Sequence, residues 1–194
     1  MSKSVDLPDI YVFSTGRLEY TKGFDLLIKA FKQVSDEVPE AKLILGGGSH
    51  KPTDLEIRIR SELSYLIKKL RLENKVIQTG RIQNELLPTY YAKASVVAIP
   101  SRYDLFGMVA LEALACKSPV VVSKFAGVSK YITAEIGLVG NPEDTNDFAE
   151  KIIFLLRNTE RALKMGQKGR EFVLRNFTWE KIADRILKVY EQAL

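Results

Sequence analysis

The chain has 194 residues, of which 46% are apolar, so it can form one large domain or two small ones with a sizeable buried core. Its 29 basic and 24 acidic residues leave a formal net charge of +5, scattered along the chain. Charge alone therefore does not favour nucleic-acid binding, and a small anionic ligand held by a few local cations fits the excess equally well.

Strand-like apolar runs alternate with helical patterns along the chain. The first strand is predicted over residues 10–15, "IYVFST", and the following "GFDLLIKAFKQVSDEV" spaces its apolar residues as a helix does. A second strand is predicted in "AKLILGGG", a charged amphipathic helix over 54–70, and a third strand in "KVIQTG". The next helix is predicted in "NELLPTYYAKA", with Asn84 as its N-cap and Pro88 in its first turn.

The second half of the chain continues the alternation. A fourth strand is predicted in "SVVAIPS", and a fourth helix begins near Leu105 or Phe106. Strands are predicted in "PVVVS" and "GLVGNP", and the rest of the chain as three helices broken near Asn158 and Phe177. This alternation predicts one α/β doubly wound domain of about six parallel strands, with helices on both faces and a helical C-terminus.

Ligands of such sheets bind beyond the carboxyl ends of the strands, where the strand order reverses. The loop after the first strand carries Gly16, Arg17, Lys22 and Gly23. Arginine and lysine side chains across one turn can converge on a diphosphate, and glycines let the backbone approach it. Two cations that only solvate a turn are an equally good interpretation of this loop by itself.

Two further loops carry weaker signals. The glycines of "LILGGGSH" lack the spacing of a dinucleotide-binding fingerprint, and His50 is interpreted as a solvated loop residue. Arg81 and Ile82 follow the third strand, where a peptide edge and an apolar side chain can hold a flat base, although Ile82 could equally pack into the core. Tyr90 and Tyr91 are predicted to pack in their helix.

The fourth strand-end loop, "RYDLFGMVALEALA", has the strongest pattern. The amides at the N-terminus of its predicted helix, 106–109, form an anion site together with the helix dipole, and Gly107 lets a phosphate come close. Asp104 fits an N-cap. Glu112 lies in an otherwise apolar pattern, where a carboxylate needs a donor such as a ribose diol.

Other function classes find little support in the sequence. One cysteine, Cys116, and one histidine provide neither an intramolecular disulfide nor a metal cluster, and no group of acids suited to Mg²⁺ is apparent. No apolar run reaches the ~20 residues that span a bilayer, and no signal peptide is evident. We expect a cytoplasmic protein, which in a full enzyme could lie peripherally on the membrane.

Together these loops resemble the donor-binding domain of the retaining GT-B glycosyltransferases, which include glycogen and sucrose synthases. The resemblance covers nearly the whole chain, from "STGRLEYTKGFDLLIKAF" through "PSRYDLFGMVALEALA" to "FTWEKIADRILKVYEQAL". It implies that residues 1–194 form one Rossmann-like nucleotide-sugar donor-binding domain. It also implies that the substrate is a nucleotide diphosphate sugar of the UDP, ADP or GDP type.

The resemblance assigns roles by position. Arg17 and Lys22 match the pair that grips the donor diphosphate, and Asp104 matches the first acid of a paired motif, which contacts the transferred sugar. Glu112 matches the second acid, which binds the ribose hydroxyls. The remaining nucleotide-binding positions implied are Gly16 in the first loop, Arg81 and Ile82 beside the base, and Phe106, Gly107, Met108 and Val109 facing the phosphates.

Three positions depart from the family pattern. Asp104 stands where the family usually has glutamate, which shortens its reach by one methylene. After the fifth strand the family usually has a Gly-Gly pair and an acid three residues on. This chain has Ala126 at the first glycine and Lys130 at the acid. The sugar side of the site therefore matches the family less well than the phosphate side.

The reaction implied is retaining sugar transfer without a cofactor or divalent metal, because Arg17, Lys22 and a helix terminus can neutralise the leaving diphosphate. Only about nine residues precede the first strand, whereas a second domain takes well over 100. We therefore expect the N-terminal domain that binds the acceptor, a glycan, lipid or small molecule, to be absent, and this domain to turn over poorly alone. The alternatives are a non-catalytic nucleotide-binding module and a GT-B epimerase or phosphorylase.

Overall fold

The structure is a computed structural model that describes residues 6–193. Its six strands pair in parallel in one sheet of order β3-β2-β1-β4-β5-β6, which confirms the predicted doubly wound fold. The strands are β1 (Tyr11–Gly16), β2 (Lys42–Gly47), β3 (Val76–Gly80), β4 (Val96–Ile99), β5 (Val120–Ser123) and β6 (Leu138–Gly140).

Seven helices connect and follow these strands. They are α1 (Phe24–Glu37), α2 (Asp54–Lys69), α3 (Leu87–Lys93), α4 (Met108–Ala115), α5 (Thr145–Arg157), α6 (Thr159–Asn176) and α7 (Trp179–Ala193). The breaks predicted near Asn158 and Phe177 are confirmed, since each of these residues lies at a helix boundary. Within the described part of the chain, no helix has the length and apolar character needed to cross a bilayer.

Two predicted helix starts are wrong. Helix α3 begins at Leu87 and not at Asn84, which lies in a separate turn whose carbonyl accepts from the Leu87 amide at 3.3 Å. Helix α4 begins at Met108, with Gly107 as its N-cap, and not near Leu105 or Phe106. In both cases the apolar pattern begins before the helix does, because the residues before the helix form other backbone hydrogen bonds.

The backbone before α4 is hydrogen-bonded to a neighbouring loop. Asp104 forms a parallel β-bridge with Ala126, and its carbonyl accepts from the Gly127 amide at 2.9 Å. The Phe106 carbonyl likewise accepts from the Val128 amide at 2.5 Å. Asp104 therefore lies three residues before the cap, and its interpretation as the N-cap of this helix is wrong.

The side chains of the strands alternate between the two faces of the sheet. Val12 and Val121 belong to one apolar cluster, which also contains residues of α1, α2 and α5. Tyr11 and Phe13 belong to the other, together with residues of α3 and α4. Because both faces bury an apolar layer, the inner strands are mostly apolar runs, as expected for a doubly wound parallel sheet, whereas the edge strand β3 is partly exposed.

The strand order reverses between β1 and β4, which lie side by side at the centre of the sheet. The chain goes outward from β1 to β2 and β3, returns to β4, and then goes outward on the other side. The loops 17–23 and 100–107 follow these two central strands. They therefore lie where an open α/β sheet forms its binding crevice.

Candidate donor-binding site

The two central loops are joined by backbone contacts. The Arg102 amide donates to the Thr21 carbonyl at 2.8 Å. Gly23 has a φ of 67°, and a Cβ atom built on it would lie 2.1 Å from the Pro100 carbonyl oxygen. Only glycine fits this close approach, so a single residue allows the β1 loop to lie against the β4 loop.

An ion pair lies between the two loops. The Lys22 Nζ atom is 2.8 Å from the Asp104 Oδ2 atom, and the two side chains are only 18% and 15% exposed. The Lys22 stem passes over Gly16, where an added Cβ would be 3.5 Å from Lys22 Cγ. The structure thus places Lys22 and Asp104, two of the predicted catalytic residues, in direct contact at the switch point.

Arg17 lies apart from this pair. Its side chain is 78% exposed, and its Nη1 atom is 2.8 Å from the Glu19 Oε1 atom. The structure therefore pairs each of the two cations of this loop with a different carboxylate. An exposed arginine side chain has several rotatable bonds, and an exposed ion pair holds it only weakly.

The N-terminus of α4 lies at the same end of the sheet. Gly107 has a φ of 95°, and a Cβ atom there would lie 2.8 Å from Val128 Cγ1, so both its conformation and its packing favour glycine. No side chain of residues 6–193 caps this helix, which leaves the amides of Met108 and Val109 available to an anion, whereas the Ala110 amide donates to the Gly107 carbonyl. Gly107, Met108 and Val109 are at this terminus, whereas the predicted Phe106 precedes the cap and packs its ring against Tyr131 and Phe177.

The departures after β5 have different structural consequences. Ala126 is buried, and its Cβ would be 3.7 Å from a Cβ on Gly107, so the loop accommodates its methyl group. At Gly127 an added Cβ would lie 2.1 Å from the Leu105 carbonyl oxygen, which requires glycine. Of the two positions of the family's glycine pair, the backbone therefore requires glycine at the second, Gly127. Lys130, three residues further on, is exposed.

Glu112 is exposed on α4, and so it is not a carboxylate among core residues as the apolar pattern predicted. Its Oε2 atom accepts a 2.8 Å hydrogen bond from the Tyr91 hydroxyl. Burial, followed by the neighbouring Glu112 charge, raises the pKa of Tyr91, which keeps this hydroxyl protonated as a donor. Tyr91 packs in the core as predicted and also orients Glu112.

Glu112 and Tyr91 line a cleft of about 430 Å³ between α3 and α4. The cleft has apolar walls and a small number of polar groups, which is typical of small-molecule sites. Cys116 also contributes to it, and burial raises the pKa of its thiol. The other lining residues are Asn84, Leu87, Pro88 and Ala115.

The predicted base-binding residues follow β3. Arg81 is exposed, and its Nη1 atom is 2.6 Å from the His50 Nε2 atom. Ile82 is half-buried against the core, and its Cδ1 atom would be 2.6 Å from a Cβ on Gly46. Ile82 therefore packs over the glycine at the end of β2, so the packing alternative is the one that the structure shows.

Arg102 and Asp25 form a further polar contact that the sequence reasoning missed. Arg102 donates from Nη1 and Nη2 to the two carboxylate oxygens of Asp25, each at 2.7 Å, and from Nη1 to the Tyr20 carbonyl at 3.0 Å. Burial raises the pKa of Asp25, but the hydrogen bonds and charge of Arg102 outweigh it and hold this pKa below its ordinary value. Two features of the sequence could have indicated this pair, namely the acid Asp25 in the first turn of α1 and the arginine Arg102 after β4.

Metal ligands do not cluster in the described part of the chain. Among residues 6–193, no three His, Cys, Asp or Glu side chains are grouped so that they could hold a metal ion. The charged groups at the carboxyl edge are instead a lysine, two arginines and three carboxylates, joined as separate ion pairs. Positive side chains and helix amides are the groups in this crevice that suit an anionic ligand.

Comparisons with known proteins agree with this fold. The model of the family described as glycosyl transferases group 1 matches residues 2–172. Mannosylfructose-phosphate synthase of Agrobacterium fabrum is 33% identical over 181 residues, which are 93% of this chain and 40% of that protein.

Two solved structures are similar over 95% of the chain. Sucrose-phosphate synthase from Thermosynechococcus elongatus is 34% identical, with a TM-score of 0.86 over 45% of its own chain. Anabaena HepE in complex with UDP-glucose is 25% identical, with a TM-score of 0.83 over 49% of its chain. The chain thus spans less than half the length of these proteins.

Proposed function

Because this chain belongs to the group 1 glycosyltransferases, we propose that it binds the sugar donor, a nucleoside diphosphate sugar, at the crevice between β1 and β4. The observation that carries this proposal is the half-buried Lys22–Asp104 pair at the strand-order reversal, beside the uncapped N-terminus of α4. Such a lysine and a row of amides are complementary to phosphate. HepE, whose structure is similar, is in complex with UDP in one structure and UDP-glucose in another.

Each proposed contact uses a group with suitable chemistry. Lys22 and the α4 amides bind the diphosphate, and Arg17 rotates from Glu19 to join them. Glu112 accepts from the ribose hydroxyls while Tyr91 holds its other oxygen, and Asp104 accepts from a hydroxyl of the transferred sugar. Residues 81–82 lie beside the base. The positions of Lys22, Asp104 and the α4 terminus after the two central strands support the phosphate and sugar contacts.

The proposed reaction is sugar transfer with retention and without a metal. The leaving diphosphate develops negative charge, which Lys22, Arg17 and the α4 terminus can stabilise electrostatically. We place the acceptor site outside this domain, in a segment that the longer relatives possess beyond their region of similarity. The domain alone is then expected to bind donor but to transfer sugar poorly or not at all.

Nucleotide binding tests the proposal directly. We expect one or more of UDP, ADP and GDP to bind the purified chain in calorimetric titrations, and Arg17→Ala and Glu112→Ala each to weaken that binding ~10-fold or more, as for lost hydrogen bonds to charged groups. For Glu112→Ala the loss should depend on the ribose. The 2′-deoxy form of the same nucleotide should bind the wild type more weakly, and the variant should discriminate less between the two forms.

Glu171→Ala provides the matched control for Glu112→Ala. Glu171 is a second exposed glutamate on a helix, paired with Arg175 at 3.7 Å in α6, and its loss should leave affinity unchanged. If none of the three nucleotides binds the wild type, the proposed function is wrong. Binding that is insensitive to Glu112→Ala would contradict the ribose contact alone.

Replacement of Asp104 should affect the binding of nucleotide and of nucleotide sugar to different extents. Asp104→Asn removes a negative charge 2.8 Å from Lys22 Nζ, so we expect the nucleoside diphosphate to bind a few-fold more tightly, because less repulsion faces its phosphates. The corresponding nucleotide sugar should gain less or lose affinity, because asparagine is a poorer acceptor for its hydroxyl. Paired titrations with UDP and UDP-glucose, or the GDP or ADP equivalents, measure the ratio.

The control for this prediction is Asp36→Asn. Asp36 also pairs with a lysine, Lys32, but on the exposed surface of α1. This variant should change neither affinity. Equal changes for nucleotide and nucleotide sugar in Asp104→Asn would contradict a contact between Asp104 and the sugar.

A further inference from the structure

Arg102 lies next to the proposed phosphate site, but it is engaged by the protein itself. Its fork of two hydrogen bonds to Asp25 and a third to the Tyr20 carbonyl use both terminal nitrogens. We propose that Arg102 is a positioning residue that latches the turn carrying Lys22 onto helix α1, so that the Lys22 ammonium faces the donor diphosphate. This inference rests on the proposed function, since it concerns the same site.

The turn that carries Lys22 is held mainly by polar contacts. It is a single 3-10 turn, Tyr20–Lys22, none of whose residues is buried. Gly23 follows it in a left-handed conformation against the Pro100 carbonyl, which fixes the end of the turn through its backbone and not through a side chain. Apolar packing therefore contributes little to its position, and polar contacts must provide most of the constraint.

Arg102 supplies those contacts from both its backbone and its side chain. Its amide donates to the Thr21 carbonyl at 2.8 Å, and its Nη1 donates to the Tyr20 carbonyl. Asp25, in the first turn of α1, fixes the guanidinium plane in the bidentate arrangement that arginine and carboxylate prefer. The carbonyls of two consecutive turn residues are thus bound to one arginine that is itself anchored on a helix.

The surrounding charges agree with a latch. Lys29 Nζ is 4.0 Å from Asp25 Oδ2, which adds positive charge on the same side of the carboxylate. The side chains of Arg102 and Asp25 are 34% and 30% exposed, so water partly screens the pair. The same turn has an outer tether, since the Tyr20 hydroxyl donates to Glu62 at 2.8 Å on the exposed surface.

Helix α1 carries a second arginine pair that serves as a matched control. At its C-terminal end, Arg157 Nη2 donates to the Glu37 carboxylate at 2.6 Å and to the Glu37 carbonyl at 3.0 Å. This pair has the same chemistry and also ties α1 to another segment, but it lies at the opposite end of the helix from Gly23 and the site loops. Its removal should reduce stability without affecting the turn of Lys22.

The test measures nucleoside diphosphate affinity by calorimetry, with the tightest binder among UDP, ADP and GDP as the probe. We expect Arg102→Ala and Arg102→Lys each to weaken binding ~5-fold to 10-fold, because both lose the fork that positions Lys22 although the lysine keeps the charge. Asp25→Ala should have a similar effect, and the Arg102→Ala/Asp25→Ala double variant should be no weaker than the worse single variant. Arg157→Ala should bind as the wild type does.

The second arm separates positioning from direct contact. In the Lys22→Ala background, a further Arg102→Ala change should have almost no effect on affinity, because there is no longer an ammonium to position. A loss of the same size in both backgrounds would overturn the inference and indicate that Arg102 contacts the ligand. Unchanged affinity in Arg102→Lys and Arg102→Ala would overturn it as well.

The proposed function and the latch fail in different ways. If the wild type binds nucleotide and Lys22→Ala weakens that binding while the Arg102 variants do not, only the latch is wrong. If the wild type binds none of the nucleotides, the proposed function fails, and the latch fails with it. Far-ultraviolet circular dichroism of each variant confirms that affinity is compared between folded proteins.

Discussion

Lys22→Ala is expected to weaken nucleoside diphosphate binding by about 2 to 3 kcal/mol, or ~30-fold to 150-fold. Two effects act in the same direction. The variant loses a charge-assisted hydrogen bond to phosphate, and it leaves the Asp104 carboxylate, only 15% exposed, without its cation. The unpaired carboxylate then repels the approaching diphosphate in a site that water screens only partly.

The second effect can be measured separately. In the Lys22→Ala/Asp104→Asn double variant the repulsion is removed, so we expect affinity to recover by a few-fold relative to Lys22→Ala alone. Calorimetry at matched ionic strength measures all three affinities. Lys32→Ala is the control, because Lys32 also pairs with an aspartate but on the surface of α1, and it should leave affinity unchanged. Wild-type affinity in Lys22→Ala would contradict the proposed diphosphate site.

Gly23→Ala is expected to lower the free energy of unfolding by roughly 3 kcal/mol. Gly23 adopts a φ of 67°, which is unfavourable for alanine, and the new Cβ atom would lie 2.1 Å from the Pro100 carbonyl oxygen. A backbone oxygen cannot rotate away as the end of a side chain can, so the two loops of the site must move apart. For a chain of this size the change corresponds to a loss of ~6 to 12 °C in Tm.

Gly16→Ala tests whether this loss is specific to the loop contact. Gly16 ends β1 in the same loop region, and its added Cβ would be 3.5 Å from Lys22 Cγ, an ordinary van der Waals distance. Thermal and urea unfolding should therefore show a much smaller change for Gly16→Ala than for Gly23→Ala. Equal stability of the two variants would show that the Gly23–Pro100 approach does not constrain the fold.

Most of the fold could be predicted from periodicity. All six strands and seven helices were expected near where they occur, because most strands are continuous apolar runs and most helices have an apolar stripe. Errors arose at helix starts, where a separate turn precedes α3 and a long-range backbone contact precedes α4. The bridge between Asp104 and Ala126 uses the backbone before α4, and no pattern within that segment indicates a partner 22 residues away.

The sequence could predict which residues belong to the candidate site, but not which of their side chains contact one another. The sequence indicated Lys22, Asp104 and Glu112 as ligand-binding candidates, and whether they bind the donor stays a prediction. It did not indicate that Lys22 pairs with Asp104, or that Tyr91 donates to Glu112. The pairing of β1 with β4 brings Lys22 and Asp104 together from positions 82 apart in the chain, and the packing of α3 against α4 brings Tyr91 and Glu112 together from positions 21 apart.

The sequence by itself determined the class of fold, and it predicted the end of the sheet that binds a ligand and the kind of ligand that its loops suit. These properties follow from local features, namely apolar periodicity and the residue types that follow each strand. Only the tertiary structure decided that Gly23 permits two loops to touch, that Lys22 is held by Asp104, and that Arg102 reaches Asp25. Such contacts depend on strand order and on distances through space, which the spacing of residues along a chain does not encode.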